Sequence, residues 1–266
     1  MNGVIDLHLW QMAAAYVFVL VLLIIVKLKG ISREKEILIS SVRMTLQLIL
    51  TGYILVYIFD NPSPLFTIII LVAMEGFSIF NIIKRTKAKL PSKLKVIIAA
   101  SMITGTVSCL FYFVFVLINI SRWYDPQYFI PIAGMLIGNS MTGISLGVSQ
   151  LTEGMQSRKD LIEGALMLGA TPKAASKQII DNAFDSAILP TINSMLGMGI
   201  VFLPGMMTGQ ILSGVSPLTA IEYQIAIMLG ILGSVALTVI MFLQLGYKCF
   251  FNTQKQLINL SSLRKK

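Results

Sequence analysis

Apolar stretches of membrane-spanning length recur along this chain, at about 8–28, 37–59, 65–83, 96–120, 129–152, 188–212 and 223–247, each bounded by charge, proline or glycine. A helix needs about 20 apolar residues to cross the hydrocarbon core, and in lipid its backbone must be satisfied internally. The pattern predicts an all-α integral membrane protein of about seven transmembrane helices, folded as a single transmembrane domain over residues 1–266. A mean hydropathy of +0.81, with 56% hydrophobic and 12% charged residues, sets the chain apart from an ordinary soluble domain.

The bases decide the orientation. Of 21 basic residues, all but Arg43 and Arg122 fall in four places: Lys27 to Lys35, Lys84 to Lys95, Arg158 to Lys177, and Lys248 to Lys266. These are alternate connections, so the positive-inside rule makes them cytoplasmic, with the N-terminus outside and the C-terminus in the cytoplasm. The net charge of +9 is therefore read as topology and not as a nucleic-acid footprint, and the expected setting is multi-pass in the cell membrane, with the lipid bilayer as partner. The first apolar run has no Lys or Arg before it and ends on Lys27 and Lys29, the reverse of a signal peptide's charge order, so it is expected to remain as a span. The outer connections, Asp60 to Pro64, Arg122 to Pro126 and Ser213 to Glu222, are short and rich in turn formers or interfacial aromatics. Cys109 and Cys249 suggest neither a disulfide framework nor a metal site.

One long polar stretch, about 153–187, interrupts the spans. Asp160 and Glu163 suit the first turns of a short helix, where carboxylates complement the helix dipole. Leu161, Ala165 and Leu168 recur at i, i+4 and i+7 as one apolar stripe. Gly169 suits a C-terminal cap, Thr171 an N-cap and Pro172 the first position of a second helix, which is expected to reach about Asp185 and lead into the membrane at Leu189-Pro190. An interfacial helix on headgroups is one reading. A rigid protein-docking element is the other, because large apolar residues are few and the break fixes the angle.

Glu163-Gly164-Ala165, followed after three residues by Gly169, resembles the Glu-Ala-Ala-x-x-x-Gly loop of ATP-binding-cassette (ABC) permeases, with Gly164 in place of the usual first alanine. Arg43 to Leu48, Pro131 to Met135, Gly138 to Met141, Leu203 to Leu212 and Tyr223-Gln224-Ile225 are similar to the FetB family, the permease subunits of ABC iron exporters, with plant relatives linked to aluminium tolerance. That resemblance implies export of iron or a related metal by two copies of the chain. It also implies a coupling helix made of Asp160, Leu161, Glu163, Gly164, Ala165, Leu168, Gly169, Ala170, Thr171 and Pro172, inserted into an ABC ATPase subunit. No Gly-x-x-x-x-Gly-Lys-Ser/Thr loop occurs in the 266 residues, so ATP and Mg are expected on that partner, with no cofactor on this chain and no enzymatic activity of its own.

Polar groups in the spans are candidates for a substrate path. Glu75 is the carboxylate deep in a predicted span, where a charge costs about 2.5–3.5 kcal/mol on insertion scales unless paired or hydrated. At 1.5 Å per residue it lies roughly 13 Å above Lys84, at a depth similar to Arg43 on the preceding helix. An Arg43–Glu75 ion pair and a cation or proton site at Glu75 both fit, with Gln47 one turn above Arg43. Asn139, Thr142, Asn193, Thr208 and Gln210 either line a hydrated path or bond between helices. Pro204-Gly205 is expected to interrupt the sixth span, making Pro204, Met206, Met207, Thr208 and Gln210 a candidate gate. The 15 methionines read mainly as packing, Glu75 is the single candidate metal ligand, and Gly134, Gly138, Gly143 and Gly147 suit packing within the chain or a subunit interface. The alternative function is an autonomous secondary transporter or channel using Glu75. An intramembrane enzyme lacks a catalytic constellation in the spans.

Overall fold

The computed structural model describes residues 8–86, 90–119 and 122–258, and within them the chain is helical with no β-strand. The order is α1 (Leu9–Leu28), α2 (Glu34–Asp60), α3 (Pro64–Arg85), α4 (Ser92–Tyr112, continued by a π-helical turn Phe113–Ile118), α5 (Pro126–Ser157), α6 (Lys159–Met167), α7 (Pro172–Gly197), α8 (Gly205–Leu212) and α9 (Pro217–Gly246). Lys87, Lys89, Arg264, Lys265 and Lys266, counted above among the cytoplasmic bases, lie outside the described residues.

Six helices are long and apolar enough to span a bilayer: α1 to α5 and α9. The predicted sixth span, 188–212, is not one helix. The second loop helix does not stop near Asp185 but runs through Pro190 to Gly197, its first half carrying Lys173, Lys177, Asp181 and Asp185. After Gly197 the chain leaves the helix, Gly199 takes φ +82°, and α8 restarts at Gly205 with Pro204 as its cap residue. Glycine supplies the left-handed backbone and proline the restart, so Pro204-Gly205 breaks this segment as the sequence predicts.

Three helix starts share one device. Asp125, Thr171 and Ser216 accept hydrogen bonds from Gln127 N, Ala174 N and Thr219 N at 3.0, 3.3 and 3.3 Å, each directly before a proline at the first helical position. The side chain satisfies an orphan N–H and the proline gives up an N–H that has no intrahelical partner.

The core lies where α5 meets α3, α4, α7 and α9, around Leu136, Ile144, Val148, Val235, Val239 and Phe242. Glycine lets these helices approach closely. A Cβ on Gly105 of α4 would overlap Thr238 Cγ2 and stand 3.1 Å from the Thr238 backbone on α9, and Ser140 and Ser234 join α5 to α9 at 2.9 Å. Gly105→Val is therefore expected to cost about 1–3 kcal/mol through overpacking. A lower thermal unfolding midpoint in detergent checks this, and an unchanged midpoint would contradict the α4–α9 contact. Helices α1 and α2 pair with each other, Tyr16 hydroxyl on Thr45 hydroxyl, and leave almost their whole surface exposed.

Candidate functional site

The short helix after α5 is held at its base and free at its tip. Arg158 donates from Nη1 to Gln178 Oε1 on α7 at 3.0 Å, Ile162 is 1% exposed in the core, and Leu166 packs against that core. The predicted stripe points the other way: Leu161 is 72% exposed and Leu168 91%, with Met167 beside them at 87%. The stripe that packs α6 onto the body is Ile162–Leu166, one position along, and it leaves Leu161 and Leu168 available.

The C-terminal end of α6 is a tight cap. Gly169 N donates to Leu166 O and Ala170 N to Ala165 O, both at 3.0 Å, with Gly169 at φ +89°. This paired bonding satisfies carbonyls that the helix end would orphan and turns the chain sharply. Thr171 caps α7 immediately afterwards, so two helices meet across Leu168 to Thr171 with little slack. Asp160 sits in the first turn of α6, and Glu163 lies 3.6 Å from Lys159 in an exposed i, i+4 pair worth about 0.3–0.5 kcal/mol. Gly164 has open space where a Cβ would stand. Gly164→Ala is thus expected to stabilise α6 by about 0.5–1 kcal/mol, read as slower amide exchange across 159–167, and faster exchange would contradict it.

Beside α6 lies an element that the sequence reading passed over. Tyr247 and Phe250 are buried, Phe251 bridges Leu257, Ile258 N donates to Phe250 O at 2.7 Å, and Asn252 Oδ1 accepts from Gln256 N at 2.8 Å. The resulting turn and the end of α6 enclose a groove of about 690 Å³ lined by Glu163, Met167, Thr171, Gln254, Lys255 and Leu257. Its signal was present: apolar Phe250-Phe251 and Leu257-Ile258 flank a polar stretch, Asn252 to Gln256, that favours a turn.

The predicted path residues do not gather in one cavity. Glu75 is 5% exposed between α3 and α4; Thr106 hydroxyl donates to its Oε1 and also contacts Met102 O, while Glu75 Oε2 and the nearby Ser78 hydroxyl have no hydrogen-bond partner among the described residues. The Arg43–Glu75 ion pair is absent. Arg43 sits on exposed α2 with its guanidinium 5.2 Å from the Phe77 ring centre, because α2 scarcely packs against α3 and the aromatic face is what the cation meets. Gln47 is exposed on the same helix. Asn139 and Asn193 are exposed on α5 and α7. In α8, Met207 is buried, Met206 packs against the core and Thr208 donates to Pro204 O at 3.0 Å, while Gln210 is half-buried. No group of three His, Cys, Asp or Glu that could hold a metal occurs among the described residues, so Glu75 belongs to no such group there. Gly134, Gly143 and Gly147 pack inside the chain, against Met74, Val235 and Ala187, whereas Gly138 faces open space.

Comparison with known proteins gives most of the chain a kinship. The family model described as an uncharacterised protein family, UPF0014, matches residues 9–251. The chain is 34% identical to the probable iron export permease protein FetB of Escherichia coli over 256 residues, 96% of each chain. It is 33% identical to the membrane protein YjkA of Bacillus subtilis, covering 93% of this chain and 97% of that one. With the protein ALUMINUM SENSITIVE 3 of Arabidopsis thaliana it shares 35% identity, over 92% of this chain and 88% of the relative. No solved structure matches.

Proposed function

Since this chain belongs to the UPF0014 family of multi-pass membrane proteins, we propose that it is the permease subunit of an ABC exporter, with two copies forming the membrane path. The carrying observation is α6: a helix anchored through Ile162, capped at Gly169, and presenting Leu161 and Leu168 outward. Large apolar side chains held rigidly in the open suit insertion into a groove of a separate ATPase better than contact with water. In this reading the N-terminus is outside, α6 lies in the cytoplasm, and ATP-driven closure of two ATPase subunits moves α6 and, through Arg158–Gln178, the start of α7. The substrate is iron or a related metal species, a reading supported by the description of the Escherichia coli relative as a probable iron export permease.

The test is reconstitution in liposomes, with the chain alone and with its ATPase, following ferrous ion movement. ATP-dependent movement that requires both subunits is the expected result. Gradient-driven flux through the chain alone, without ATP, would reject the ABC reading in favour of a secondary transporter or channel.

A further inference from the structure

The outward faces of α5 and α7 expose Leu146, Leu189, Ile192 and Leu196, and among them stand polar side chains at a depth where lipid would otherwise touch them. Asn139 and Thr142 are exposed on α5 and Asn193 on α7. Gly143 and Gly147 of α5 lie against Ala187 of α7, so Asn139 and Asn193 sit to the same side of that crossing, each roughly 6–12 Å along its helix. Asn139 is also near the middle of the apolar stretch 129–152. Its Nδ2 donates to Met135 O at 2.8 Å, and Thr142 donates to Gly138 O at 3.1 Å. Asn139 Oδ1 and the Asn193 side-chain amide have no hydrogen-bond partner among the described residues, and hydrocarbon supplies none. Phe18, Leu20 and Ile24 on α1, by contrast, expose only what lipid accepts.

The chemistry of this face suits a copy of itself. A side-chain amide both donates and accepts, so two identical neutral faces related by a two-fold axis satisfy one another without building charge. Gly138, beside Asn139, leaves open space for a second backbone to come close. Toward the α6 end the exposed charges of the same helices are of both signs, Glu153 on α5 and Lys173, Lys177, Asp181 and Asp185 on α7.

We propose that two copies of this chain meet through the α5–α7 face at Asn139, Thr142 and Asn193. The proposal rests on the two-copy reading above and adds where the copies touch. With Cys109→Ser and Cys249→Ser as background, Asn139→Cys is placed in the full chain and oxidised in native membranes, beside Phe18→Cys on α1 as control. A disulfide-linked dimer at Asn139→Cys and none at Phe18→Cys is expected; Thr142→Cys gives the same reading where Asn139→Cys is not recovered from the membrane. No dimer at the α5 positions, or an equal yield at Phe18, overturns the assignment of this face while native mass spectrometry still counts two copies per complex. A count of one copy overturns the two-copy reading itself.

Discussion

Leu168→Asp leaves the chain inserted in the membrane and abolishes co-purification with the ATPase subunit, with Glu163→Lys acting in the same direction. The side chain of Leu168 is 91% exposed, so removing it takes nothing from the folded permease. Changes at such surface positions usually stay within about 0.5 kcal/mol of stability. At an interface the same truncation is expected to cost about 2 kcal/mol or more, a loss of roughly thirtyfold in affinity, because an apolar anchor is replaced by a charge that must be desolvated. Glu163→Lys puts like charges at i, i+4 with Lys159, a penalty of only about 0.2–0.5 kcal/mol, so it too separates docking from folding. Gly169→Val acts differently. With φ at +89° and no neighbour within 4 Å, its cost is backbone strain that redirects the cap and tilts α6. Retained complex and normal ATP turnover in Leu168→Asp and Glu163→Lys would sink the docking role of α6.

That loop was legible in the sequence because its instructions are local. Gly169, Thr171 and Pro172 each encode a backbone state, and the caps form where those residues stand. The α6 face was harder to read: Ile162 and Leu161 are adjacent and equally apolar, and which one faces inward depends on how Arg158 joins α7. The sixth span was half legible: Pro204-Gly205 announces the restart of α8, but apolar content over 188–212 does not show that α7 runs in from Pro172 and already ends at Gly197. Least legible was which polar groups meet. Depth along α2 and α3 matched Arg43 to Glu75, but depth says nothing about rotation, and α2 does not pack closely enough on α3 to bring them together.

Glu75→Lys is expected to remove folded protein from the membrane, and Arg43→Glu in the same chain is expected not to restore it. The carboxyl lies 5% exposed in the α3–α4 seam against Thr106, with no Lys or Arg in salt-bridge contact among the described residues. A lysine there adds length to a packed seam, about 1–3 kcal/mol, and an unpaired cation at depth, about 2.5–3.5 kcal/mol on insertion scales. Together these reach about 3.5–6.5 kcal/mol, comparable to the low end of a typical domain's stability of about 5–15 kcal/mol. Glu75→Gln keeps the shape and a carbonyl that accepts from Thr106, so it should remain folded. The measurement is the monodisperse fraction of detergent-solubilised protein on size exclusion, for the three variants beside the parent. Were Arg43 the true partner, Arg43→Glu would offer the new lysine an anion at the same depth and recover the peak. Arg43 instead stands over the Phe77 ring on an exposed helix, so the swap removes a cation–π contact and leaves the buried lysine as unpaired as before.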